Sequence, residues 1–151
     1  MGSPSKAKSK PAAQWVIDTR GVIEALTTSS NSVRAAIVDA IQNGSMLILK
    51  PASHELKEAF PDVYDQLQGI KPKKYLTLTV PMLAAAATLT EAYGPGRLLG
   101  SIPSSAHFEA VAAAGLVGCT LVTSGKSLTH CGGIAKRCGL PPTAVQPLSV
   151  V

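Results

Sequence analysis

A chain of 151 residues, 46 % hydrophobic and 15 % charged, is long enough for one sizeable core and too apolar for a disordered segment. Its longest apolar stretch, residues 80–89, has about half the length of a membrane span. Residues 1–13 lack the apolar segment of a secretory signal, so a cytoplasmic protein without membrane contact is expected. The net charge of +5 owes three of its charges to Lys6, Lys8 and Lys10, in a leading stretch of small residues, lysine and proline. The excess is therefore only a weak pointer to nucleic acid.

Residues 1–13 read as a flexible basic tail, either a phosphate-tracking arm or a solubilising leader, and residues 14–151 as one domain. The first element is a short buried strand, WVID at 15–18, which stops on Asp18. Helical periodicity follows at 21–26 and again at 32–43, where Val33, Ile37, Val38 and Ile41 share a face. Asn31 or Ser32 is the expected N-cap there and Gly44 the expected C-cap. SMLILKP is a second buried strand, ended by Pro51. Ser53 is expected to cap and open a helix over 53–67 that Pro61 splits. KYLTLT at 74–79 alternates as a third strand. An alanine-rich helix over 80–93 ends at Gly94, and another helix covers 104–118. CTLVTS is a fourth strand, 128–138 a short helix, and TAVQPL a fifth strand.

Strands that are solid apolar runs and alternate with helices predict an α/β fold: three layers, with a central parallel sheet of four or five strands between helices. Ligands of such sheets sit beyond the carboxyl ends of the strands. Asp18 and Ser124 stand at strand carboxyl ends, and Glu55 lies in the expected first turn of the helix after strand two. Each has a plainer reading as well. Asp18 can be a helix N-cap, Glu55 can complement a helix dipole, and His107 can be an ordinary polar residue at a helix start.

The cysteines, Cys119, Cys131 and Cys138, are odd in number and widely spread, which predicts reduced thiols. His130, Cys131 and Cys138 fall short of the two close ligand pairs of structural zinc, so core-facing small residues are expected. Lys71, Lys73 and Lys74 form a solvated turn or a contact for a phosphate backbone. Gly125-Lys126-Ser127 resembles the end of a phosphate-binding loop but lacks the earlier glycine.

The succession VIDT at 16–19, LKPASHEL at 49–56, AHFEAVAAAGLVGCTLVTSGKSL at 106–128 and IAKRCGLPP at 134–142 resembles the PIN domain over about residues 16–147. That family includes magnesium-dependent ribonucleases, many of them toxins of toxin–antitoxin pairs. The resemblance implies a crevice in which acids hold Mg2+ or Mn2+, RNA as substrate, and an antitoxin-like protein partner; the alanine-rich helix at 80–93 is explained equally by a homodimer face and by an internal core. The first acid falls on Asp18 and the second on Glu55. The third position, after Ala106, carries His107, and the fourth, two past Thr123, carries Gly125. Glu109 and Ser124 are the candidate substitutes. Lys126, with Lys71, Lys73 and Lys74, is the candidate nucleic-acid contact. The expectation is a PIN-like domain with a degenerate metal site that binds nucleic acid or protein, the alternative being a magnesium-dependent ribonuclease.

Overall fold

The computed structural model describes residues 12–94 and 103–151. The tail expected at 1–13 therefore lies almost wholly outside the described residues. Five strands form one all-parallel sheet: β1 (Trp15–Ile17), β2 (Met46–Leu49), β3 (Tyr75–Leu76), β4 (Thr120–Thr123) and β5 (Val145–Pro147). Their order is β3-β2-β1-β4-β5, with Ile17 in register with Ile48 on one side and Val122 on the other. The chain starts at the centre of the sheet and builds outward in both directions.

Side-chain alternation along the strands makes two cores, one on each face. Ile17, Ile48 and Val122 point to the face covered by α1 (Thr19–Thr27), α2 (Asn31–Gln42) and α4 (Pro61–Gln68). Val16, Leu121 and Val145 point to the face covered by α5 (Val80–Tyr93), α6 (Ser105–Leu116) and α7 (Gly125–Arg137). Helix α3 (Lys50–Ala59) bridges the two, with Ala52 in one core and Leu56 in the other. The layered α/β architecture is the one expected from the pattern of apolar strands and helices.

Several boundaries differ from the sequence reading, each for a local reason. Helix α3 begins at Lys50, directly after β2, because Pro51 occupies its first turn, where a missing N–H costs nothing. Ser53 is consequently no cap: it is buried, and its hydroxyl donates to the Lys50 carbonyl at 2.8 Å. Glu55 moves from the first helical turn to the second, beyond the reach of a simple dipole role. The split at Pro61 is present, between α3 and α4. The cap of α2 is Ser30, whose Oγ accepts from the Val33 N–H at 3.3 Å, one residue earlier than expected. Strand β3 is only two residues long, since just Tyr75 and Leu76 pair with β2. Helix α7 starts three residues early, at Gly125, whose φ of +62° is the left-handed region that glycine adopts without strain.

Gly21 is demanded by space. A Cβ there would lie 2.6 Å from Ile17 Cγ1 and 2.9 Å from the backbone oxygen of Val122. Helix α1 therefore lies directly against β1 and β4, which fixes Asp18 at the sheet edge.

Candidate functional site

The carboxyl ends of β1, β2 and β4 and the first turns of the following helices enclose a cavity of about 380 Å³. Asp18, Glu55, His107, Glu109, Lys126, Ser127 and His130 all line it. Two acids 37 positions apart in sequence thus share one crevice with residues from α6 and α7.

Asp18 is the floor of this crevice and is only 9 % exposed. It caps α1, its Oδ1 accepting from the Gly21 N–H at 2.9 Å. Its Oδ2 accepts from Thr123 Oγ1 at 2.9 Å and from Ser127 Oγ at 2.7 Å. A carboxylate offers about four lone-pair sites, and here three are filled from within the fold. The capping role and a site role are thus both written into one residue. Glu55 is more exposed, and its Oε1 accepts from Thr19 Oγ1 at 2.8 Å.

His107 stands in the first turn of α6, at the position after Ala106. Its Nδ1 accepts from the Ser104 N–H at 3.0 Å, closing the helix end as a glutamate or glutamine does in a capping box. Neutral His107 therefore carries its proton on Nε2, the nitrogen left for other partners. Its ring packs on His130, with centroids 4.9 Å apart and planes tilted by 34°. Burial lowers its pKa from 6.5, and His130 lowers it further, against an opposing pull from Asp18 and Glu55.

The remaining candidates divide. Glu109 and Lys126 line the crevice. Ser124 does not; it lines a neighbouring groove of about 410 Å³ with Arg20, Ile23, Glu24, Gly125 and Lys126. Gly125 lines that groove and not the crevice, so the fourth acid position of the PIN pattern lies outside the crevice lining. Arg20 and Lys126 line both hollows and stand between them. Lys73 and Lys74 line a separate pocket beside Gln42 and Gly44, at the amino end of β3, and Lys73 Nζ donates to the Ile70 carbonyl. Lys71, whose carbonyl accepts from Gln42, belongs to the same turn. These three lysines are at the opposite edge of the sheet from Asp18 and form no part of the crevice.

His130, Thr123 and Ser127 were not among the expected site residues. Their signal is the start of α7 at Gly125, which sets Ser127 and His130 three apart on one helical face. Cys131 is fully buried beneath them, its thiol pushed up to about 12 chiefly by burial, and belongs to the core with the partly buried Cys138. All three cysteines are free thiols.

The Mg2+ or Mn2+ that the resemblance implies does not fit this donor set. Magnesium takes hard oxygen ligands in an octahedron. Asp18 has one lone-pair site left, Glu55 is partly engaged by Thr19, and the third position offers imidazole, which suits transition metals better. Among the described residues, no three His, Cys, Asp or Glu side chains stand close enough together to hold one ion. No helix among them is long and apolar enough to cross a membrane.

No family model matches the chain, and no curated protein does. Solved structures do match. The crystal structure of FitAcB from Neisseria gonorrhoeae is similar over 91 % of this chain and 100 % of that one, with a TM-score of 0.62 at 17 % identity. At that identity the likeness speaks for the fold, which is the PIN-like layered arrangement around a five-stranded parallel sheet.

Proposed function

We propose that this chain is a PIN-like domain that has given up metal-dependent hydrolysis and works by binding nucleic acid at the crevice between β1, β4 and the first turns of α6 and α7. The observation that carries this reading is the state of His107. It occupies the place of an acid, and its Nδ1 is committed to the cap of α6. A side chain that builds its own helix end is a poor candidate for an ion ligand at that atom.

Hydrolysis of a phosphodiester by this class of site needs the ion to activate water and offset charge on the phosphate. With three of the roughly four lone-pair sites of Asp18 filled by internal donors and glycine at the fourth acid position, the carboxylates needed to hold it are lacking. Lys126 and Arg20 remain at the rim as groups that attract phosphate. The test is a ribonuclease assay on purified protein with magnesium, with manganese and with chelator, run beside a binding assay. Binding without cleavage is expected. Chelator-sensitive cleavage, lost on Glu55→Gln, would establish the magnesium- or manganese-dependent ribonuclease in its place.

A protein partner, antitoxin-like or a second copy of this chain, is supported by a separate surface. Helix α5 leaves Val80 79 % and Leu83 45 % exposed, with no charged residue between them. Light scattering behind a sizing column tests self-association, which a Val80→Lys, Leu83→Lys pair should abolish.

A further inference from the structure

The groups that the fold leaves unengaged in the crevice differ in kind from those it has consumed. Asp18 accepts three hydrogen bonds from within the chain and Glu55 one. Against these, the side chains of Lys126 and His130 make no hydrogen bond among the described residues, Arg20 makes none either but holds its guanidinium 5.5 Å from the centroid of the Phe60 ring, and His107 keeps Nε2. What faces a ligand is thus a pair of imidazole rings and two cations.

We infer that the tilted His107–His130 pair is a stacking platform for a base and that Arg20 and Lys126 take the flanking phosphates, so that RNA binds here without a divalent ion. The inference rests on the nucleic-acid reading above and deepens it at named residues. Bases stack on aromatic faces whatever their identity, and each such contact is worth about tenfold or more in affinity. The two half-buried rings pack on one another, with centroids 4.9 Å apart and planes inclined by 34°, so a base stacked on an outer face extends an aromatic pair already in place. The lowered pKa of His107 keeps that ring neutral near pH 7, which suits stacking.

Dimensions and charge agree with one exposed strand. A cavity of about 380 Å³ admits a nucleotide, and the adjoining groove of about 410 Å³ continues past Arg20 and Lys126 to the start of α7. Phosphates are repelled by Asp18, Glu55 and Glu109, which confines them to the rim where the two cations stand. The second oxygen of Glu55 and the carboxylate of Glu109 remain as acceptors for a ribose 2′-hydroxyl. Phosphate affinity that elsewhere relies on a bound ion is supplied by fixed side-chain charge.

The experiment is fluorescence anisotropy of a labelled single-stranded oligoribonucleotide of mixed sequence, titrated with the full chain in magnesium, in manganese and in chelator. The affinity should agree within about twofold across the three buffers. His130→Ala should weaken it about tenfold, while His130→Phe, which keeps a ring to stack on, should restore most of it. Lys126→Ala should reduce the slope of log affinity against log salt by about one. Circular dichroism of each variant separates lost binding from lost fold. Binding that disappears in chelator, or that survives His130→Ala unchanged, overturns the inference while the nucleic-acid reading stands. No binding in any buffer removes that reading and this inference with it.

Discussion

Ser127 Oγ donates to Asp18 Oδ2 at 2.7 Å across 109 positions of sequence, tying the first turn of α7 to the end of β1. Thr123 donates to the same oxygen from the end of β4. The floor of the crevice is thus a structural knot, and removing its parts has consequences for stability before any for function.

Asp18→Asn should therefore destabilise the fold. The amide loses a charged acceptor that is held by three donors in a buried position, and one of its own N–H groups is turned toward a hydroxyl or backbone donor. A loss of about 1–3 kcal/mol is expected, seen as a fall in Tm of roughly 3–10 °C. A melt of the variant unchanged from wild type would mean that these hydrogen bonds contribute nothing net. Because of this cost, Glu55→Gln is the cleaner probe of chemistry.

Gly21→Ala should cost about as much or more, for a different reason. The added methyl meets Ile17 Cγ1 at 2.6 Å and the Val122 carbonyl at 2.9 Å, and the latter is sheet backbone that cannot rotate away. Overpacking of this kind typically costs about 1–3 kcal/mol. Chemical denaturation of Gly21→Ala against Gly133→Ala, where nothing lies within 4 Å, isolates the effect. Equal midpoints for the two would contradict the close approach of α1 to the sheet.

The titration of His107 should appear in the pH dependence of stability. Its folded pKa is lowered from 6.5, first by burial and then by His130. Between the two values the unfolded chain binds the proton more readily, so stability falls as pH drops below about 6.5 and is fully present above it. His107→Gln keeps an acceptor for the Ser104 N–H and removes the titration. Its melting temperature between pH 7.5 and pH 5.5 should vary less than that of the wild type. A steeper dependence in the variant would reverse the assigned sign.

Cys131 should resist thiol reagents in the native state, since it is fully buried and its thiol is held well above the usual range. Native labelling should reach Cys119 and Cys138 first, with Cys131 following only on unfolding. Mass spectrometry of partly labelled protein reads the order directly.

The layered fold was legible because β1, β2 and β4 are short apolar runs separated by helical periodicity, and no competing pattern exists in the chain. That Asp18 and Glu55 line one crevice was legible because both follow strands that are neighbours in the sheet. Element ends were less so. Pro51 ends the apolar run of β2, but a proline fits equally well inside a helix start, and that moves Glu55 by a turn. Lys71, Lys73 and Lys74 look like a phosphate contact in sequence, yet which edge of the sheet they occupy depends on the direction of β3, two residues that carry little signal of their own. Ser127 and His130 were missed because their common face follows only from where α7 begins. His107 as a cap was invisible, since the histidine closes the helix end through a ring nitrogen where glutamate or glutamine is the usual residue.

The departure at the third position can be reversed by substitution. His107→Asp would add a third carboxylate to the lining of the crevice that Asp18 and Glu55 share, a hard oxygen donor in place of imidazole. Gly125→Asp would add less, because a φ of +62° is a backbone conformation that side chains adopt at a cost and position 125 is not part of the crevice lining. Magnesium affinity should rise more on the first change than on the second.

The central claim, that this crevice is not a magnesium site, is tested most directly by isothermal titration of magnesium into the wild-type chain and into His107→Asp. The wild type should show no saturable heat, and His107→Asp should show measurable binding. Saturable, stoichiometric magnesium binding by the wild type that Glu55→Gln abolishes would contradict the account.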